Sequence, residues 1–403
     1  MRVYNVNNTD TDPNTSVGSM EFQGLSGFSN KDLISSQLQN GVKSNPVANN
    51  HIIGTNNSPD GESQLDVQVM YWAASNATLW YEDYKGTNDN GWIYSWSVDF
   101  MNRQDVPQVV SLSWGWSEIQ QCTVGKCTNE TSKQYVDRTN VELMKIGIRG
   151  TTVVVAAGDA GSPGRTNELC GSKQLPTGWN NINPIFPGGS PYVLSVGASY
   201  LLIKDMNKYN KFVTPICQNN QCATGSVEQC ATYNQTIWTS GSGFTHWNPT
   251  PSWQLPYVQK YLKSGIHLPN SIYFNSTNRA YPDVTAFGHN CAVVNNGKVG
   301  TADGTSCAAP IFAGVIANLN AYQLSKGRPL LGFVNPLLYK IYGLNPNTFN
   351  DILVGDSSCT EAECCGRNFG FLAGKGWDPV SGLGSPNIGE IKRMLDKMFK
   401  TRN

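Results

Sequence analysis

The chain has 403 residues, with 29 Lys plus Arg balanced by 29 Asp plus Glu, so its formal net charge is zero. A chain without excess basic charge lacks the field that gathers nucleic acid, and without a run of about 18 apolar residues it lacks a membrane span. Its length suits one large domain or two ordinary ones, and we expect a single domain over residues 1–403.

Periodicity predicts helices and strands that alternate through the first half of the chain. A helix is predicted after the turn over residues 59–61, and a helical period of apolar residues fills residues 133–148. Continuous apolar runs predict buried strands over residues 109–114, 152–157 and 192–196. A strand, a helix and a strand in this order favour a parallel βαβ unit with a right-handed crossover.

The second half of the chain adds three further features. The polar, cysteine-bearing stretch over residues 214–242 has little periodicity, so we interpret it as a surface insertion. An Asn-Gly pair within residues 293–299 predicts a hairpin with a type I′ turn. The small apolar residues 307–324 predict a helix buried beneath a sheet. Together with the first half, these features predict an α/β fold with a mostly parallel central sheet flanked by helices.

Cysteines and glycosylation signals point to a secretory route. Eleven cysteines, several in tight groups, are many for a reducing cytosol, and without a C-x2-C pair or a nearby histidine they favour disulfides over zinc. Seven acceptor sequons start at Asn7, Asn14, Asn56, Asn76, Asn129, Asn234 and Asn275. The first residues contain no apolar h-region, so we expect a secretory signal to be missing from the chain as given.

The strongest chemical signal is Gly304-Thr305-Ser306, which runs straight into the small-residue helix. This places the Ser306 hydroxyl at a helix N-terminus, where N–H groups and the helix dipole favour developing negative charge. It is the arrangement of a nucleophile in a subtilisin-like scaffold. A serine that only caps a helix N-terminus is the commoner explanation of such a residue by itself. Whether Ser306 is a nucleophile therefore depends on whether the chain supplies a base and an oxyanion-stabilising group.

Carboxylates stand where a subtilisin would supply a histidine base. His51 has no glycine-rich helix start around it, whereas Glu62 and Asp66 lie one turn apart on the predicted helix and can touch. A solvent-exposed acidic helix face is the ordinary explanation of such a pair. The other residues of this helix are apolar, however, so we expect the helix and its two acids to be buried. Asp159 follows a buried strand, where sites of open α/β sheets gather, although a turn aspartate is common there too.

In this chain order the residues Glu62, Asp66, Asp159 and Ser306 resemble the sedolisin family of serine-carboxyl peptidases over nearly the whole chain. Further segments are similar to its lysosomal tripeptidyl peptidase branch: residues 140–145, 186–187, 190–193, 273–275, 279–284 and 327–333. The resemblance implies a subtilisin-like fold and peptidase activity in acid. It also implies that Ser306 is the nucleophile, Glu62 the base, Asp66 the group that orients Glu62, and Asp159 the group that faces the oxyanion.

The chemistry of carboxyl groups agrees with these implied roles. Two carboxyl groups in hydrogen-bonding distance share one proton, because both cannot ionise cheaply. A carboxyl that stabilises an oxyanion must itself be protonated. Both requirements favour low pH, where a histidine base would be cationic and a carboxylate with a pKa near about 4 suits the task.

The resemblance also implies a structural calcium ion and an N-terminal prodomain in the full precursor. The ligands of the calcium ion would be the carboxylates of Asp351 and Asp378 with the carbonyls of Ile352, Gly374 and Gly376. A glycine-rich loop with surface aspartates is the alternative that the residues alone would favour. An acidic endolysosomal compartment is the expected location, with secretion as the alternative.

Several features leave the mode of action open. We expect tripeptides to be released from free N-termini, with Glu118 as a candidate anchor for the α-ammonium. Internal cleavage by an endopeptidase of the same family is the alternative, and a non-catalytic glycoprotein of this fold is the third. Asp303 departs from the small residue usual in the family, and Cys307 is expected to be a free thiol, which would leave ten cysteines able to pair.

Overall fold

The computed structural model describes residues 4, 6, 12–24, 26–85, 92–165, 182–203 and 226–400. The predicted sequon at Asn7 and the cysteines Cys217 and Cys222 lie outside these residues. The strands are β1 Ser16–Glu21, β2 Ile52–Gly54, β3 Thr78–Asp83, β4 Val109–Leu112, β5 Trp116–Ser117, β6 Thr152–Ala156, β7 Ile185–Phe186, β8 Leu194–Ile203, β9 Ser226–Cys230, β10 Gly243–Pro249, β11 Asn278–Tyr281, β12 Val284–Phe287, β13 Cys291–Asn295, β14 Lys298–Ala302, β15 Phe349–Asn350 and β16 Ser385–Pro386. The helices are α1 Asn30–Gln39, α2 Gly61–Met70, α3 Trp92–Asn102, α4 Gln121–Val124, α5 Ser132–Arg149, α6 Tyr233–Thr236, α7 Leu255–Leu262, α8 Thr305–Ser325, α9 Asn335–Leu344 and α10 Ile388–Lys400.

Parallel strands in the order β12-β8-β6-β4-β1-β3-β2 form the centre of the fold. Strand β4, helix α5 and strand β6 make the predicted parallel βαβ unit, with Val109 opposite Thr152 in register. Helix α5 begins at a capping box, in which Thr131 and Gln134 satisfy each other's backbone N–H groups, and it ends at Gly150 in the left-handed region. The predicted α/β sheet is confirmed.

Side chains alternate across this sheet and divide the core into two layers. In β6, Val154 packs in the cluster that includes α2 and α8, while Val153 and Val155 pack against α3 and α5 on the other face. Helix α8 is buried on nearly all sides, as its apolar composition requires. Within the described part of the chain, no helix is long and apolar enough to cross a membrane.

The interpretation of residues 214–242 as a surface insertion is wrong for the part that the structure describes. From Ser226 the chain forms β9, which pairs antiparallel with β8 and buries Val227 and Cys230. Its polar Glu228 is also buried, because the carboxylate accepts hydroxyl groups from Ser199 at 2.5 Å and Ser385 at 2.6 Å. A strand can thus be polar in sequence and still lie inside the fold.

The expectation that ten cysteines could pair is also wrong. Disulfides join Cys122 to Cys127 and Cys359 to Cys364, but three cysteines in the described residues are buried free thiols: Cys230, Cys291 and Cys307. An even number does not ensure pairing, since a buried thiol packs as a small hydrophobic group.

Candidate active site

The predicted site residues meet in one groove at the carboxyl ends of the central strands. Strands β4 and β6 end just before Ser113 and Asp159, and the first turns of α2 and α8 bring Glu62 and Ser306 to the same place. The groove encloses about 590 Å³. It lies where open parallel sheets place their sites.

Ser306 lies in the first turn of α8 and is 9% exposed. Its hydroxyl group faces Glu62 in the groove and lowers the pKa of that carboxyl against the larger effect of burial. Gly304 precedes it with a φ of +126°, and a Cβ there would lie 3.1 Å from Oδ2 of Asp159, so only glycine fits the turn. Pro310 has no N–H for the Ser306 carbonyl, and the Ser113 hydroxyl donates to that oxygen at 3.5 Å instead.

Glu62 and Asp66 are held inward by the start of α2. Asp60 caps this helix by accepting the Ser63 N–H at 3.0 Å, which fixes the turn that carries Glu62. One oxygen of each acid, Oε1 of Glu62 and Oδ1 of Asp66, is buried with no partner among the described residues. Burial is the main cause that raises the pKa of both carboxyls, and the charge of Glu62 raises the pKa of Asp66 further.

A third buried acid, Glu21, extends this pair and was missed by sequence reasoning. Asp66 accepts the hydroxyl groups of Ser113 at 2.7 Å and Ser19 at 3.3 Å. The Ser19 hydroxyl also donates to Glu21 at 2.7 Å, and Trp114 donates its indole N–H to the other Glu21 oxygen at 2.8 Å. An acid as the last residue of a buried strand was the available signal, since strand ends hold sites in this class of fold.

Asp159 is fixed by Thr305, the residue before the serine. Its Oδ1 accepts the Thr305 N–H at 2.7 Å and the Thr305 hydroxyl at 2.8 Å, and Gly158 donates its N–H to that hydroxyl at 3.0 Å. Burial raises the pKa of Asp159, against the effect of these hydrogen bonds. A carboxyl with a raised pKa stays protonated to higher pH and can then donate a hydrogen bond.

Glu118 does not face the groove, so its predicted role as an anchor for a substrate ammonium is wrong. It is 0% exposed and accepts the backbone N–H of His246 at 2.7 Å, and burial raises its pKa to about 8. The 3-10 turn over Glu118–Gln120 directs it inward, while Trp116 remains 41% exposed on the wall of the groove.

Four of the five predicted calcium ligands, Asp351, Gly374, Gly376 and Asp378, lie together in a separate part of the fold. Gly376 donates its N–H to Asp351 at 2.9 Å, and Gly374 donates to Asp378 at 3.0 Å. Oδ1 of Asp351 is buried without a partner among the described residues. Burial raises the pKa of Asp351 to about 6 and that of Asp378 to about 7, where Asp351 adds to the effect. Two neighbouring buried carboxylates with an orphaned oxygen suit a hard divalent cation.

Known proteins resemble this chain over most of its length. The signature described as "Subtilase family" matches residues 33–329. Physarolisin of Physarum polycephalum is 43% identical over 383 residues, which cover 94% of this chain and 64% of physarolisin. Tripeptidyl-peptidase 1 of Homo sapiens is 33% identical over 337 residues, which cover 83% of this chain and 51% of that protein. The chain therefore spans about half to two thirds of the length of these curated relatives.

A solved structure shares the fold. A Pseudomonas sedolisin, a serine-carboxyl proteinase complexed with two molecules of pseudo-iodotyrostatin, aligns with a TM-score of 0.67 at 21% sequence identity. The alignment covers 98% of this chain and 96% of that chain. The predicted subtilisin-like architecture is thus confirmed.

Proposed function

The chain belongs to the sedolisin family of serine-carboxyl peptidases, and from that premise we propose that it hydrolyses peptide bonds in acid with Ser306 as the nucleophile. The observation that carries the proposal is that Ser306 faces Glu62, one helical turn from Asp66 and in the same groove as Asp159. This arrangement supports the roles of Ser306 as nucleophile, Glu62 as base and Asp66 as the group that orients the base.

In the proposed reaction Glu62 takes the hydroxyl proton as Ser306 Oγ bonds to the scissile carbonyl carbon. Asp66 shares a proton with Glu62 and holds it in orientation, a role that suits the two orphaned oxygens. Protonated Asp159 donates to the carbonyl oxygen as it becomes negative. Glu62 then returns the proton to the leaving amine, the C–N bond breaks, and water attacks the acyl-enzyme by the same route.

Acid is the condition under which these roles are compatible. Asp159 can donate only while it is protonated, and burial raises its pKa. The Glu62 and Asp66 pair needs one proton and one negative charge; the raised pKa values of both acids keep the shared proton on the pair through the acid range, and the negative charge forms as pH rises toward the pKa of Glu62. We place the protein in an acidic endolysosomal compartment or, as the alternative, outside the cell.

The buried Glu118 bears on how the substrate is bound. Similarity to tripeptidyl-peptidase 1 supports tripeptide release from free N-termini. That mode needs an acidic group to meet the α-ammonium, because a buried unpaired cation is costly, and Glu118 cannot supply it. Internal cleavage is therefore a second candidate, and the exposed Trp116 on the groove wall favours it.

A calcium ion completes the proposal. Asp351 and Asp378 would hold it, with the carbonyls of Ile352, Gly374 and Gly376 as further oxygen ligands. The ion would supply a positive charge between two buried carboxylates and so hold the loop to the body of the fold. It would have no part in the bond-breaking steps.

The test is mass spectrometry of the products from one long unstructured peptide near about pH 4, with its N-terminus free or acetylated. Cleavage that is lost in Ser306→Ala supports the peptidase assignment. Tripeptides that disappear on acetylation indicate release from the N-terminus, and unimpaired cuts at internal bonds indicate an endopeptidase. A folded wild-type protein that cleaves nothing in acid would overturn the proposal.

A further inference from the structure

Asp303 is an acid of the groove that the proposed reaction does not use. It lies three residues before Ser306, lines the same groove, and its side chain is 40% exposed. Resting on the proposed peptidase function, we propose that Asp303 is a specificity-determining residue that favours a cationic group on the peptide. The cation is an alkylammonium or a guanidinium, from a side chain or from the α-amino group.

The Asp303 carboxylate is held in place by the loop that follows β12. Oδ1 accepts the backbone N–H of Asn290 at 2.7 Å. Nδ1 of His289 lies 2.8 Å from the same oxygen, a distance that fits an ion pair although the angle is not that of a hydrogen bond. Both contacts use Oδ1, which leaves Oδ2 without a partner among the described residues and available to a group in the groove.

The loop itself is anchored next to the serine. Gly304 donates its N–H to the Gly288 carbonyl at 2.8 Å, which ties the loop to the turn before Ser306. The His289 ring packs edge-on against Tyr200 with ring centroids 6.2 Å apart. The backbone next to Asp303 and the Oδ1 atom of its side chain are both held by hydrogen bonds. The side chain therefore loses little conformational entropy when it binds a cation.

The other charged residues of the groove are already engaged. Glu62 is largely buried and faces Ser306, and Asp159 is hydrogen-bonded to Thr305. Arg165, the cation among the described lining residues, is paired with Glu361 through Nε at 3.1 Å and Nη2 at 2.8 Å. Among the groove-lining residues that the structure describes, Asp303 is therefore the carboxylate that is exposed and not engaged by a cation of the groove. A peptide cation that enters the groove would come close to it.

His289 competes with the substrate for this carboxylate. Its Nδ1 lies 2.8 Å from Oδ1 of the carboxylate that a substrate cation would approach. Replacing His289 by glutamine removes the imidazole and keeps a polar neighbour. The preference for a cationic substrate should then be retained or strengthened.

The experiment compares matched peptides that carry arginine or citrulline, which has the same shape without the charge, at each position flanking one scissile bond. Each peptide is used with a free and with an acetylated N-terminus near about pH 5. The wild type is expected to prefer arginine in kcat/KM by about threefold or more at one position, or the free terminus over the acetylated one by a similar factor. The arm that responds identifies the source of the cation.

Asp303→Asn keeps the Oδ1 acceptor for Asn290 and removes the charge, so this preference should fall to about one. Asp137→Asn removes one exposed carboxylate on α5, paired with Lys133, and should leave the preference unchanged. Equal preference in the wild type and Asp303→Asn, at every position and at the terminus, would overturn the inference. A wild type that cleaves none of the peptides would instead overturn the proposed function.

Discussion

Glu21 shows how a single residue changes the character of this site. The Glu62 and Asp66 pair is joined through Ser19 to a third buried carboxyl, and Trp114 is hydrogen-bonded to its far side. Burial and the nearby charge of Glu62 raise the pKa of Glu21, so in acid this side chain is neutral. A neutral acid here serves as a hydrogen-bonding support for Asp66 and not as a charge.

We therefore expect Glu21→Gln to behave like the wild type in acid, because an amide reproduces the hydrogen bonds of a protonated acid. Its kcat/KM near about pH 4 should stay within about threefold of the wild type. Glu21→Leu leaves Ser19 and Trp114 without this partner and should lose roughly tenfold to a hundredfold, through kcat. Equal damage from the two variants, each shown to be folded, would mean that the charge of Glu21 is needed.

The hairpin of β13 and β14 is the element that joins the two halves of the site. It leads directly into the Ser306 turn, and it is docked on the helix that carries Glu62. The Gln68 side chain of α2 donates to the Val294 carbonyl at 2.7 Å and accepts the Val294 N–H at 2.8 Å. Asp32 accepts the N–H groups of Asn296 and Gly297 at the hairpin turn, both at 2.9 Å.

Gln68→Leu should destabilise the fold by about 2–4 kcal/mol, because it leaves both backbone groups of Val294 buried and unpaired. Denaturant unfolding measures this loss. Gln259→Leu, on the exposed face of α7, is the matched control and should change stability by less than about 0.5 kcal/mol. If the two variants were equally stable, the hairpin would not depend on Gln68.

The loop around Asp351 and Asp378 gives a second prediction at the scale of an element. Calcium bound there stabilises the folded state alone, so about a hundredfold excess over Kd should add about 2.7 kcal/mol. Chelation should lower Tm in the wild type and have little effect in Asp378→Ala. A Tm that is indifferent to calcium and chelator in the wild type would reject the site.

Elements with strong periodicity could be predicted from the sequence, and polar buried ones could not. The apolar runs of β4 and β6 and the Asn296-Gly297 turn, with φ of +51° and +73°, lie where the sequence predicts them. Strand β9 was missed, because its Glu228 is satisfied by hydroxyl groups that come from distant parts of the chain. The inward turn of Glu118 was missed for the same reason, since its partner His246 lies 128 residues away.

The same distinction applies to the site. Helical spacing predicts that Glu62 and Asp66 lie close together. Ser306 is predicted as a site residue from its place at a helix start, and Asp159 from its place after a strand end. The link to Glu21 depends on β1 lying beside β4 in the sheet and against helix α2, an arrangement that local sequence patterns do not contain. The exposure of Asp303 likewise depends on a loop that comes from the end of β12.

Across the whole molecule, buried carboxyls make the fold one that is stable in acid. Burial raises the pKa of Glu118 to about 8 and that of Glu228 to about 7. In the unfolded chain a glutamate ionises near about 4.3. The stability these groups contribute is therefore fully present below about pH 4 and is lost as pH rises through about 7 to 8.

We expect the free energy of unfolding to fall by about 1.4 kcal/mol per pH unit for each such group between about pH 5 and 7. Denaturant unfolding across this range measures the slope. Glu228→Gln, neutral at every pH, should reduce the slope by the contribution of one group, whereas the surface variant Glu363→Gln should not. A stability that rises between these pH values would contradict the assignment of neutral buried acids.

The central claim is that Glu62 is the base for Ser306 in a peptidase that works in acid. The pH dependence of kcat/KM for one cleavable peptide, in the wild type and in Glu62→Gln, tests it most directly. We predict a wild-type maximum in acid that declines toward neutral pH, and a folded Glu62→Gln that is at least about a thousandfold slower at every pH. A wild-type maximum at or above neutral pH, or a Glu62→Gln variant that keeps more than a few per cent of the activity, would contradict the account.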